Sequence, residues 1–199
     1  MAKIHPQTLA SSSPNYFTSE QETFTVWMKS LVLSGKGCTV FDSNGHVVYR
    51  VDNYNCKSSH EVHLMDCRGE VLFTILKKKF KLFGCWEGYR STAAKIEKGK
   101  PCFEVRKHFR LLRGGLLCRV TVELDHSQSS KYEIESWTGK STCKIVDKSG
   151  GQIAEVKRKQ SASGVVLGED VLTMVVAPCT DHSLIMGLLV VYNLISCKI

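Results

Sequence analysis

Short apolar runs with a period of two recur along this chain. The clearest is Leu116-Leu117-Cys118-Arg119-Val120-Thr121-Val122-Glu123-Leu124, whose even positions are all apolar, while three of its four odd positions are Arg, Thr and Glu. Successive side chains of a strand point to opposite faces, so this run predicts a strand with one dry face and one wet face. Similar runs are Phe24 to Met28, Cys38 to Phe41, Val47 to Val51, Val62 to Met65, Val71 to Ile75, Phe103 to Val105, Tyr132 to Ile134, Cys143 to Val146 and Val171 to Val176. Weaker ones lie near Trp86 to Arg90 and Ile153 to Lys157. Twelve short strands at this spacing predict an all-β sandwich or barrel.

Three of the expected hairpins share the pattern D-x-x-G: Asp42-Ser43-Asn44-Gly45, Asp66-Cys67-Arg68-Gly69 and Asp147-Lys148-Ser149-Gly150. An aspartate at the first position of a type I turn accepts bonds from the backbone after it, and the glycine takes the positive φ at the bulge. The pattern is too short for a calcium loop, which needs several spaced oxygen ligands.

One long segment breaks the strand pattern. From His182 to Ser196 no residue is Asp, Glu, Lys or Arg, and Asp181 precedes it as a good N-cap. A helix that is apolar all round is buried all round or lies in lipid. The apolar stretch Leu184 to Ile195 makes only about 18 Å of helix against a hydrocarbon core of about 30 Å, so it cannot span. Tyr192 and Asn193 within it also disfavour a lipid-facing tail anchor. The expectation is therefore a closed antiparallel barrel of about twelve strands enclosing one central hydrophobic C-terminal helix, since larger barrels have room for a helix. Residues 23–199 form this single domain, and residues 1–22, with Ser11-Ser12-Ser13-Pro14, read as a flexible N-terminal tail.

The nine cysteines are odd in number and contain no CxxC pair, and the N-terminus lacks the apolar core of a signal peptide. Both features point to a reduced, cytoplasmic setting in which the cysteines serve as small core residues. No prenylation box closes the chain, and Ala2 excludes myristoylation.

Charge adds a functional lead. The chain carries a net +8, but from Lys77 to Arg119 thirteen Lys or Arg face three acids, a net +10. Such a stretch attracts polyanions or serves as a solvated, solubilising surface.

At this point the pattern resembles the plant LURP-one-related family, whose domain belongs to the Tubby C-terminal-like fold shared with phospholipid scramblases. The resemblance is carried by Phe24-Thr25-Val26-Trp27-Met28-Lys29-Ser30 continuing through Cys38 to Tyr54, by Met65-Asp66-Cys67-Arg68-Gly69 through Ile75-Leu76-Lys77-Lys78-Lys79 to Trp86-Glu87-Gly88-Tyr89, and by Leu172-Thr173-Met174-Val175-Val176-Ala177-Pro178 with the helix after it. It implies a twelve-stranded barrel around a hydrophobic helix and a family without established enzymatic activity, one member of which is linked to defence against pathogens. The Tubby branch binds phosphoinositides through basic rim residues. Those residues have no position-by-position match here, so for this chain lipid binding is an expectation only.

Three basic clusters are the candidate anion-binding residues. Lys77-Lys78-Lys79-Phe80-Lys81 sits where the strand phase breaks, which predicts a turn or bulge presenting ammonium groups at a sheet edge. Phe80, Leu82 and Phe83 could dip into a membrane interface beside them. The alternative is an edge strand protected from aggregation by lysines. The second cluster is Arg106, Lys107, Arg110 and Arg113, and the third is Lys157, Arg158 and Lys159; arginine forks clasp phosphate with paired hydrogen bonds. The sequence leaves open whether the clusters converge.

Other chemistry finds little support. His60-x-x-His63 with Asp66 has ligand-type residues, but positions i and i+3 of a strand face opposite ways. No G-x-S-x-G elbow, P-loop, dinucleotide fingerprint or HExxH is present, so neither catalysis nor a cofactor is expected. Nucleic acid is a rival partner, disfavoured because no zinc-finger or RRM signature accompanies the charge. The expected function is non-enzymatic binding: phosphoinositide headgroups or an anionic membrane surface, with peripheral attachment, or else a protein partner in stress or defence signalling.

Overall fold

A computed structural model describes residues 16–29, 37–52, 60–78, 84–91, 100–109, 115–125, 128–136 and 143–196. Its strands are β1 (Glu22–Trp27), β2 (Cys38–Phe41), β3 (Val47–Asp52), β4 (Glu61–Asp66), β5 (Val71–Lys78), β6 (Cys85–Arg90), β7 (Phe103–Phe109), β8 (Leu116–Asp125), β9 (Gln128–Ser136), β10 (Cys143–Asp147), β11 (Gln152–Arg158) and β12 (Val171–Val176), followed by helix α1 (His182–Ser196). Each strand pairs antiparallel with its sequence neighbours, and β1 closes on β12 to complete a barrel. Closure leaves no sheet edge, and it creates an interior that a helix can fill.

The period of two reads directly as inside and outside. In β1, Phe24 and Val26 are buried; in β5, Phe73 and Ile75; in β7, Phe103 and Val105; in β12, Leu172, Met174 and Val176. These inward rows surround α1, in which every residue from His182 to Leu194 is buried. An uncharged helix needs such a wall, because its polar backbone bonds itself while its side chains need apolar neighbours on all sides. Asp181 caps it as its residue type predicts: Oδ1 accepts the N–H groups of Ser183 at 2.9 Å and Leu184 at 3.1 Å. Among the described residues no helix is long and apolar enough to cross a membrane.

The three D-x-x-G segments form the same device. The Oδ1 of Asp42, Asp66 and Asp147 accepts the N–H two residues on at 2.9, 2.9 and 2.8 Å and the N–H four residues on at 2.8 Å each. Gly45, Gly69 and Gly150 have φ of +83°, +86° and +84°. The register slips beside each turn, between Val40 and Phe41, Leu64 and Met65, and Ile145 and Val146. The expected bulge is therefore present at all three.

Strand direction alternates, so the barrel has two distinct ends. Where α1 begins, Tyr49 Oη lies 2.5 Å from His182 Nδ1, and Arg90 donates to Asp181 Oδ2 at 2.5 Å. Tyr16, the first described residue, packs there against Tyr49 and His182, and its carbonyl accepts the His182 N–H. Where α1 ends, Asn193 reaches Met28, the residue that follows β1. Strands β1, β3, β5, β7, β9 and β11 all finish at this second end.

Candidate anion-binding rim

The alternation of strand direction settles where the basic clusters lie. Lys77 and Lys78 are the last residues of β5, Arg106 and Lys107 belong to the later half of β7, and Arg158 closes β11 with Lys157 before it and Lys159 after it. All are therefore at the end of the barrel where α1 finishes. Lys79, Lys81, Arg110 and Arg113 lie outside the described residues, as do Phe80, Leu82 and Phe83. Around the circumference, β5 and β7 are separated only by β6, whereas β11 is on the opposite side of the ring. The described members of the clusters share one rim without forming one pocket.

The turn or bulge expected near Lys77 to Lys79 does not occur at Lys77 or Lys78. Lys77 pairs with Trp86 and Lys78 with Cys85, so β5 keeps its phase through Lys78. Lys77 continues the inward row of Phe73 and Ile75 into the mouth of the barrel, with its ammonium 5.9 Å from the Trp86 ring. Lys78 points to the outer wall, 2.8 Å from Glu87 Oε2, which also accepts the Tyr89 hydroxyl at 2.6 Å. The bond from Glu87, then that from Tyr89, raises the pKa of Lys78. Glu87 is buried on the outer face, and Lys78 neutralises it; that ammonium is committed to the wall rather than offered to a ligand.

On the outside of β7 to β9, Arg106 stands directly opposite Arg119. Two like charges in that relation repel, and each is compensated by its own acid. Arg106 pairs with Glu104, and Arg119 lies 3.8 Å from Glu133. These four, with His108 and Lys131, line an open groove of about 940 Å³. Its charges are mixed in sign. On β11, Lys157 lies 2.8 Å from Glu155 and Arg158 donates to Glu169 at 3.1 Å; just after it, Lys159 donates to the Thr25 hydroxyl at 2.5 Å.

One feature of the rim has no counterpart among the sequence expectations. Val165, Val166 and Leu167, between β11 and β12, are 63%, 43% and 52% exposed, and of the described large apolar residues only Phe17 is also exposed. The signal was a run of three apolar residues between Gly164 and Gly168, too short to show a period.

Among the described residues the ligand atoms of His60, His63 and Asp66 are not gathered into one cluster. His63 faces Thr74 at 3.3 Å and Glu61 at 3.4 Å, while Asp66 is held in its turn. The ligand atoms of Cys85, Glu87 and Glu104 do cluster on the outer face. Both carboxylates there already pair with a cation, Lys78 and Arg106 respectively, which supply the charge a metal ion would bring. The buried thiols are poor nucleophiles: burial pushes Cys38 and Cys118 up to about 12.

A profile of the family described as LURP-one-related matches residues 22–193. Protein LURP-one-related 11 of Arabidopsis thaliana is 47% identical over 207 residues, covering 99% of this chain and 90% of that protein. Protein LURP-one-related 3 of the same plant is 48% identical over 191 residues, covering 92% of this chain and 84% of its own length. An X-ray structure of a protein from Arabidopsis thaliana superposes with a TM-score of 0.61 at 14% identity, over 89% of this chain and 93% of that one, a likeness of fold.

Proposed function

We propose, from the premise that this chain belongs to the LURP-one-related family, that it is a non-enzymatic protein whose basic rim attaches it peripherally to membranes bearing phosphoinositides or other anionic lipids. The observation that carries this reading is the meeting of two features at one barrel end: strand ends bearing Lys77, Lys107, Lys157 and Lys159, and the exposed Val165-Val166-Leu167. Cations alone would suit any polyanion, but cations beside exposed apolar side chains match the layered chemistry of a bilayer surface. The basic rim also surrounds the C-terminus of α1, whose backbone dipole is negative there, so the cations lie where the fold tolerates them.

The test is vesicle co-sedimentation of wild type and Lys77→Glu/Lys157→Glu, using phosphoinositide and phosphatidylserine vesicles of matched surface charge. Wild type should bind, and the double reversal should weaken binding several-fold; a preference for phosphoinositide that the double reversal abolishes would locate a headgroup site at the rim. Absence of binding to either vesicle would overturn the reading and favour a protein-interaction module.

A further inference from the structure

The segment between β11 and β12 is a small hairpin in its own right. Gln160 and Val166 form a bridge, the Leu167 N–H donates to the Lys159 carbonyl at 3.0 Å, and the Ser161 N–H donates to the Val165 carbonyl at 2.8 Å. At its tip the Gly164 N–H donates to the Ser161 carbonyl at 2.9 Å, with Gly164 at φ +81°, and the Val165 N–H donates to the Ser161 hydroxyl at 3.1 Å. This bonding fixes the backbone, so the exposure of Val165, Val166 and Leu167 is a built presentation. Three adjacent apolar side chains on a bonded turn leave water readily for an apolar phase.

The surroundings name the phase. At the base of the hairpin Asp170 is held by Lys29 at 3.1 Å and by the Trp27 indole N–H at 3.3 Å, and Glu169 is held by Arg158. Glu155 is shared by Lys157 and Lys144. Around this apolar arm Lys29, Lys144, Lys157, Arg158 and Lys159 face Glu135, Glu155, Glu169 and Asp170, an excess of one cation, with Trp27 at the same level. The cations alone would suit an acidic protein as well, but an anionic bilayer matches each layer: lipid phosphates for the cations, the interface for Trp27, and the acyl boundary for Val165, Val166 and Leu167.

We propose that Val165, Val166 and Leu167 form a membrane-inserting finger that enters the acyl boundary of an anionic bilayer. This inference rests on the lipid-binding reading and adds to it a site, a depth and a salt dependence. Electrostatic attachment alone dissolves when salt shortens the screening length to about 3 Å at 1 M, while apolar insertion persists.

The experiment compares wild type with the triple variant V165S/V166S/L167S on phosphatidylcholine vesicles containing phosphatidylserine or a phosphoinositide, at low salt and at about 1 M salt. Penetration of a lipid monolayer is read in parallel as a rise in surface pressure. The variant should melt like wild type, lose roughly tenfold or more in affinity at either salt, so that only its binding at high salt disappears, and give no pressure rise. A variant that keeps wild-type binding at high salt and wild-type penetration overturns the finger and leaves the rim reading standing. So does a wild type that binds only at low salt without penetrating. Failure of wild type to bind vesicles at either salt removes both readings. A wild type that self-associates through these side chains, with the association lost in the variant, assigns them to a second copy of the chain and overturns the lipid occupant.

Discussion

Phe103 occupies the space that a side chain at Gly88 would need. The two are cross-strand partners on β6 and β7, and a Cβ built on Gly88 would lie 2.1 Å from Phe103 Cζ. On the other side of the ring a Cβ at Gly187 of α1 would lie 3.2 Å away, and Phe73 sits 5.5 Å from it, centroid to centroid. Wall and helix each give up a side chain for this one ring, which fixes the position of α1 along the barrel axis. Aromatic cover over a cross-strand glycine is a recurrent way to restore packing that the glycine lacks.

Gly88→Ala should therefore be costly and Gly187→Ala nearly neutral. The first forces a fully buried ring to move, an overpacking cost of about 1–3 kcal/mol. The second asks for a shift of a few tenths of an ångström and gains about 1 kcal/mol of helix propensity. Urea unfolding of both variants checks this, and adding Phe103→Leu to Gly88→Ala should recover part of the loss. Equal stability of Gly88→Ala and wild type would show that the ring has other room.

Much of this architecture was legible in the sequence because two periodicities carried it. Strand residues such as Val120 and Val122 alternate with Arg119 and Thr121, and α1 has no charge to place in water. The rim was harder. Alternation gives Lys78 an outward direction, but the buried Glu87 that holds it resembled any solvated acid, since burial on the outer face depends on neighbours distant in sequence. Arg106 was a candidate anion-binding residue, and its pairing with Glu104, like that of Arg119 with Glu133, follows only from the register. The Val165 to Leu167 finger carried no period at all, and its meaning comes from which end of the barrel it occupies.

Leu189→Asp should abolish soluble expression. Leu189 is 1% exposed at the centre of α1, so a carboxylate there would be buried among apolar side chains. Breaking charge balance in a core costs about 3–5 kcal/mol, a large share of a domain's stability. Ile195→Asp, in the half-exposed last turn, serves as the control and should remain soluble with a lowered melting temperature. Soluble Leu189→Asp with unchanged melting would mean that α1 is not the core.

Acid should selectively weaken the turn after β10. The Ser149 hydroxyl, then the Gly151 N–H, holds the Asp147 carboxyl below its ordinary 3.8. A carboxylate whose pKa is lowered by folding stabilises the fold above the unfolded value, and that contribution disappears as pH falls through the folded value. Asp147→Ala should thus melt below wild type at neutral pH, and the two curves should converge below about pH 4. A difference that is constant down to pH 2, at about the acid limit of native carboxylates, would place the effect in chain entropy and not in the charged hydrogen bonds.

The cysteines should divide by burial in both reactivity and alkaline stability. Cys67 and Cys179 are exposed, while Cys38 and Cys118 are buried and pushed up to about 12, chiefly by desolvation. Brief alkylation of the native protein near about pH 8, read by peptide mass spectrometry, should mark Cys67 and Cys179 first, because the thiolate is the reacting form. Full labelling of Cys38 and Cys118 should require denaturant. Linkage sets the alkaline limit: a thiol raised from 9.0 on folding stabilises fully below pH 9 and loses that contribution as pH climbs toward 12. Cys38→Ala should flatten the decline in melting temperature over that window, at the expense of a small cavity at neutral pH. Labelling of Cys38 at the rate of Cys67 would show that the barrel opens between β2 and its neighbours on the timescale of the reaction, and the closed wall around α1 would then need revision at that seam.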